Sequence, residues 1–197
     1  MQNPNKFPEG GHIFFEYQNR DQQLMCVSKF FQDGLDKNEK CIYVVDETTP
    51  YHMRRLLHSH GIDVVRHSAR GCFDIMTAND FYFSRGYFDP DHTIKLLLMT
   101  AKRALKEGYN GIRVTGELSW ASKRKELLSK LLAYEKKINV YSPKNSVTAL
   151  CQYNINLFNP ETLDKAMELH PYILECDATV KQNHKFKPPS RIRFPWQ

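Results

Sequence analysis

The chain has 197 residues, 41% apolar and 25% charged, with a formal net charge of +6. That length and balance suit one domain with a substantial core. Its longest apolar runs, "IYVV" (42–45) and "LLLM" (96–99), are far too short to cross a bilayer. The start, "MQNPNKFPEGG", is polar and broken by Pro and Gly, so a secretory signal is not expected and the chain reads as cytoplasmic.

Segment 12–17, "HIFFEY", is an apolar run of β-formers, and the text after it carries Leu24, Val27, Phe31 and Leu35 at helical spacing. Residues 40–47, "KCIYVVDE", form a continuous apolar strand pattern of the kind a sheet covered on both faces requires. Thr49-Pro50 predicts a helix start, with Met53, Leu56 and Leu57 inward and a stop at Gly61. "IDVV" (62–65) and "FDIMTA" (73–78) are short strand candidates. Asp89-Pro90 opens a further helix that stops at Gly108, and Asn159-Pro160 opens another that stops before Pro171. "GIRVTG" (111–116), "SVTALCQYN" (146–154) and "YILEC" (172–176) supply later strands, and 122–137 is amphipathic. The aromatic stretch 78–90 reads either as a lid over a pocket or as an edge strand with a loop. This alternation predicts an α/β fold, a mostly parallel sheet covered by helices on both faces. The expected organisation is an N-terminal extension (1–10), one domain (11–180) and a basic, Pro-containing tail (181–197).

The basic residues divide between the helical stretch "SKRKELLSK" (122–130) and the tail "KQNHKFKPPSRIR" (181–193). Charge spread along a helix is ordinarily a solvated face, so nucleic acid is not the expected partner. Five cysteines, at 26, 41, 72, 151 and 176, form no CxxC pair and read as reduced, unpaired thiols. A zinc site built from them would need long-range folding.

Ligands of parallel sheets bind beyond the carboxyl ends of the strands. There the loop after the first strand, "QNRDQQ" (18–23), has no glycine and no lysine, and carries Asp21. A phosphate cradle needs both glycine backbone and lysine, and neither GK[ST] nor GxGxxG occurs. No GxSxG elbow or local Cys/His signature is present. His12, His170 and Cys151 could meet at one sheet edge. A buried, satisfied histidine is the preferred reading, with a metal or haem role for His170 the lesser one. No cofactor and no metal are expected.

"HIFFEY", "NEKCIYVVDE", "GIRVTGELSW", "LLAYEKKIN", "ALCQYN" and "ELHP" follow one another in an order and spacing that resembles the MEDS domain. This is the methanogen/methylotroph sensory domain named for a dichloromethane-responsive regulator. The resemblance runs from Gly11 to His170. It implies a degenerate relative of the KaiC/RecA-type ATPases that has lost its P-loop, and a sensor of a small organic compound. "GIRVTGELSW" falls where such ATPases carry their Walker B strand. Such domains are often fused to output modules, so the expected partner here is a separate signalling or transcriptional protein, with self-association open.

For the strand end itself two readings stand. In one, Glu117 and Trp120 line a pocket with Glu16, Tyr17 and Glu47. In the other, Glu117 accepts loop hydrogen bonds and Trp120 packs under the next helix. His12, Glu135, Asn139, Cys151, Tyr153 and His170 are candidates for a supporting shell. The rival functions are a metal-assisted enzyme using the strand-end carboxylates, and an accessory protein acting through the basic tail.

Overall fold

In the computed structural model, which describes residues 7–189, strand and helix alternate almost without filler. Strand β1 (His12–Tyr17) leads through two residues into helix α1 (Arg20–Asp36). Then follow β2 (Lys40–Val45), α2 (Pro50–Ser59), α3 (Val64–Ala69) and β3 (Phe73–Thr77). The short α4 (Ala78–Phe81) precedes α5 (Pro90–Lys106), β4 (Ile112–Glu117) and α6 (Lys125–Tyr141). The chain closes with β5 (Val147–Asn154), α7 (Pro160–Met167), β6 (Tyr172–Leu174) and β7 (Val180–Gln182).

The strands form one sheet in the order β3-β2-β4-β5-β1-β6-β7. It is parallel except where β7 returns antiparallel to β6. The predicted α/β sandwich is therefore the observed one. Side chains alternate between the two faces. Ile13, Phe15, Tyr43, Val45 and Leu150 pack with Leu24, Phe30 and Phe31 of α1. Phe14, Val44, Val114, Cys151 and Tyr153 join the core made with α5, α6 and α7.

The helix starts follow the sequence signals. Thr49, Asp89 and Asn159 each cap a helix whose first residue is proline, accepting from backbone N–H groups ahead. "IDVV" is a correction. Asp63 caps Arg66 N–H, and Val64 and Val65 enter α3, not a strand. A local cap won over β-propensity here. The stretch 78–90 is not an edge strand. It is one helical turn and a loop whose Phe81, Tyr82 and Phe88 are buried. Ahead of α6, residues Ser119–Lys123 form a 3₁₀ turn.

The segment taken as a tail from 181 begins inside β7, and Asn183 is buried with its Nδ2 donating to Met167 O and His170 O. Its residues 190–197 lie outside the described ones, as do residues 1–6 of the N-terminal extension. Phe7 is packed edge-on against Phe30. All five cysteines are free. Among the described residues no helix is long and apolar enough to cross a membrane.

Candidate functional site

Glu117 ends β4 facing α1, and it is fully buried. Its Oε1 accepts from Arg20 Nη1 at 3.2 Å, Gln23 Nε2 at 3.1 Å and the Tyr43 hydroxyl at 3.0 Å. Its Oε2 accepts from the backbone N–H groups of Asp46 and Glu47, both at 2.7 Å. Arg20 and Gln23 come from the first turn of α1 and Tyr43 from β2, so the carboxylate ties the loops of three elements together. Gln152 extends the network, accepting from Gln23 Nε2 at 2.6 Å and donating to Thr115 Oγ1 at 2.7 Å.

Beside it Glu47 accepts from the hydroxyls of Tyr17 and Ser119 and from Asn154 Nδ2. Burial, then the hydrogen bond to Glu47, pushes the Tyr17 phenol far up, so it remains a donor. Burial works against the charge of Arg20, but Glu117 leads the neighbours that outweigh it, and the guanidinium is held cationic.

The groups at this strand end are thus hydrogen-bonded to one another. Asn19 caps α1 by accepting from Gln22 N–H, and Gln22 Oε1 accepts from Gln18 N–H. The amides of that turn face side chains, and Arg20 stands against the acid. The purified chain is therefore expected to show no saturable binding of a fluorescent ATP or GTP analogue and no phosphate release. Release abolished by Glu117→Gln would contradict this. The same substitution puts an amide N–H among donors and is expected to cost about 1–3 kcal/mol, read as a lowered urea midpoint.

The predicted pocket residues divide. Tyr17, Glu47 and Glu117 share the network just described. Glu16 points to the opposite face of the sheet; its carboxyl is raised by partial burial and then by Asp164 of α7. Trp120 also lies apart. It is buried in the core against Tyr82 at 4.9 Å, Phe83 at 5.2 Å and Phe88 at 4.6 Å between ring centroids. Gly116 makes this possible, since an added Cβ would sit 2.1 Å from the Tyr82 hydroxyl.

Trp120 nonetheless forms part of a cleft of about 610 Å³ at the carboxyl edge of β2 and β3. Phe83, Phe88 and Leu127 supply further apolar wall, and Lys123, Arg124 and Lys130 face it with Asp46. The indole Nε1–H of Trp120 is buried without a hydrogen-bond partner. The sequence reading found Trp120 but not the cleft's other lining. The aromatic density of 78–90 beside the basic run 122–130 was the signal for it.

The remaining six candidates do meet, on the α6–α7 face. His12 Nε2 lies 2.8 Å from Glu135 Oε2 and 3.3 Å from Cys151 Sγ. Cys151 Sγ is 3.3 Å and His170 Nε2 3.5 Å from the same Glu135 oxygen. Tyr153 donates its hydroxyl to Glu135 Oε1 at 2.7 Å, and Asn139 Oδ1 is 3.1 Å from His12 Nδ1. The His12 and His170 rings lie with centroids 3.8 Å apart and their planes tilted by 35°. Burial, then His12, pushes His170 down to about 3, so its ring is neutral.

A mostly parallel sheet covered by helices, with a carboxylate ending β4 two strands away from β1, is the frame that carries these groups. A KaiC-like protein from the hyperthermophilic archaeon Pyrococcus horikoshii OT3 shares this fold, with a TM-score of 0.57 and 17% sequence identity over 85% of this chain and 71% of that one. The sequence profile of MEDS, the "MEthanogen/methylotroph, DcmR Sensory domain", matches residues 11–171. The chain belongs to the MEDS family of sensory domains. No curated protein matched the sequence.

Proposed function

We propose that the chain senses a small organic molecule in the cleft over Trp120 and passes the signal to a separate protein. The observation that carries this reading is the cleft's composition: an aromatic wall of Trp120, Phe83 and Phe88 beside Lys123, Arg124 and Lys130. Such a mixture suits a ligand with an apolar body and an anionic end. The Arg20–Glu117 ion pair stands at the end of β4, apart from the aromatic wall of the cleft. The segment 77–88 contributes both core residues and cleft wall. A ligand wedged there would shift that loop against α6, which supplies a route to the surface.

The test is a titration of the Trp196→Phe chain, in which Trp120 is the remaining indole, with short aliphatic and aromatic carboxylates and the matching alcohols. Saturable quenching by a carboxylate, weakened at least tenfold by Arg124→Ala, is the expected result. Absence of saturable quenching across the panel, or quenching indifferent to Arg124, would retire the cleft as the sensing site.

A further inference from the structure

We infer that His12, Glu135, Cys151 and His170 form a closed binding site for one divalent transition-metal ion, zinc foremost. It lies on the opposite face of the sheet from Glu117 and stands independently of the cleft. The four candidate ligand atoms all lie within 4.8 Å of one another, and all four residues are buried. Zinc–nitrogen, –oxygen and –sulfur bonds of about 2.0–2.3 Å at tetrahedral angles place ligand atoms roughly 3.3–3.8 Å apart. The contacts of 3.3 and 3.5 Å around Glu135 Oε2 already have that spacing.

The groups behind the ligands orient them. His170 Nδ1 sits 2.7 Å from Ala166 O, an acceptor only, so Nδ1 carries the proton and Nε2 presents a lone pair. Asn139 Nδ2 donates to the carbonyls of Glu135 and Leu169, which turns its Oδ1 toward His12 Nδ1. His12 Nδ1 is thereby the donor, and its Nε2 also faces the cluster. Tyr153 holds the far oxygen of Glu135, leaving Oε2 to act alone. Outer hydrogen bonds of this kind fix ring tautomer and direction at metal sites.

A purely structural network leaves something unexplained. His170 Nε2 is buried with no hydrogen-bond partner. Its partner cannot be Glu135 Oε2 unless a proton lies between them, and the Nδ1 hydrogen bond has already placed the ring's proton on the other side. Unpaired buried acceptors are uncommon and costly. An ion gives that lone pair a partner and relieves the crowding of acceptors at one point. The charges also close: a divalent cation against one thiolate and one carboxylate buries no net charge. Binding displaces the Cys151 thiol proton and the proton shared by His12 and Glu135, so the site is neutral before and after.

Two imidazoles, a thiolate and a single carboxylate oxygen are the donor set of a borderline-soft tetrahedral ion. Four protein ligands leave no open position, which describes a clamp and not a hydrolytic centre. The ligands come from β1, α6, β5 and the residue that ends the α7 turn, so the ion would tie the first strand to the C-terminal part of the domain.

Cobalt(II) titrated into the chelator-treated full chain reports directly on this geometry. We expect saturation at one equivalent, with intense visible bands of tetrahedral cobalt and a near-ultraviolet sulfur-to-cobalt band. Cys151→Ser should remove the sulfur band, and Cys176→Ser, at an exposed thiol, should not. X-ray absorption at the cobalt edge of the unsubstituted chain gives the same answer without a variant: a first shell containing one sulfur. Zinc should displace the cobalt, and its removal should lower the melting temperature. No saturable bands, weak octahedral bands, or a shell of nitrogen and oxygen alone would overturn the inference.

Discussion

Replacing Trp120 with alanine is expected to cost about 3–5 kcal/mol, the range for deleting a large aromatic from a packed core. The indole is only 3% exposed and touches three aromatic rings, Tyr82, Phe83 and Phe88. Its loss opens a void beneath the 78–88 loop, and the neighbours cannot close it because Tyr82 is seated over Gly116. The same change removes a wall of the cleft. Melting and ligand titration must therefore be read together: Trp120→Phe keeps an aromatic wall at lower stability cost, and should bind more weakly than the parent while remaining folded. A Trp120→Ala chain that melts like the parent would show that the packing described here is wrong.

Arg113→Ala should be as damaging for a different reason. The guanidinium has no exposed surface, yet it donates to Glu39 Oε2 at 2.5 Å and Phe30 O at 3.1 Å, and meets Asp33 at 2.8 Å. It also stacks over Phe30 and Phe7 at 4.9 and 5.4 Å. Gly34 admits it, since a Cβ there would lie 2.4 Å from Arg113 Cδ. Removing one partner of a buried ion pair strands the other and typically costs about 3–5 kcal/mol. Asp33 retains Lys37 at 2.8 Å, but Glu39 is left with little.

The sign of the pH dependence follows. Burial raises Glu39 above its ordinary 4.5, and Arg113 pulls it partly back. Without Arg113 the folded value rises further. A raised carboxyl costs no stability below its unfolded pKa, progressively more between the unfolded and folded values, and a constant amount above the folded one. The Arg113→Ala deficit should thus be smallest near the unfolded value of 4.5 and grow toward neutrality, as measured by urea unfolding across that window. Adding Glu39→Met should recover part of it at neutral pH. A deficit independent of pH would point to lost packing alone.

Much of this molecule was legible in its text. Continuous apolar runs such as "CIYVV" and "ALCQY" specify strands covered on both faces, because only parallel sheets bury every residue. Proline after Thr49, Asp89 and Asn159 fixed three helix starts, because its missing N–H and preset φ suit the first helical position. The lack of a P-loop motif was equally plain, since "QNRDQQ" has no glycine to bring backbone amides close to an anion. The order of motifs pointed to the MEDS family, which the profile match shows.

What the text did not carry was which side chains face each other. Alternation along β1 already sets Glu16 and Tyr17 on opposite faces, but their neighbours depend on strand order and register. Parallel pairing of β4 with β5 puts Glu117 opposite Gln152, and α1 brings Arg20 and Gln23 onto the acid. Neither residue stood out beforehand, because a glutamine on a helix becomes distinctive only once that face is known to be buried. His12, Cys151 and His170 were legible as residues that could meet at one sheet edge, and Glu135 as a candidate for the supporting shell, but the point at which their four ligand atoms converge was not. No local spacing joins residues so far apart in sequence, and only the crossovers that place β1 beside β5, under α6 and α7, bring their atoms to one point.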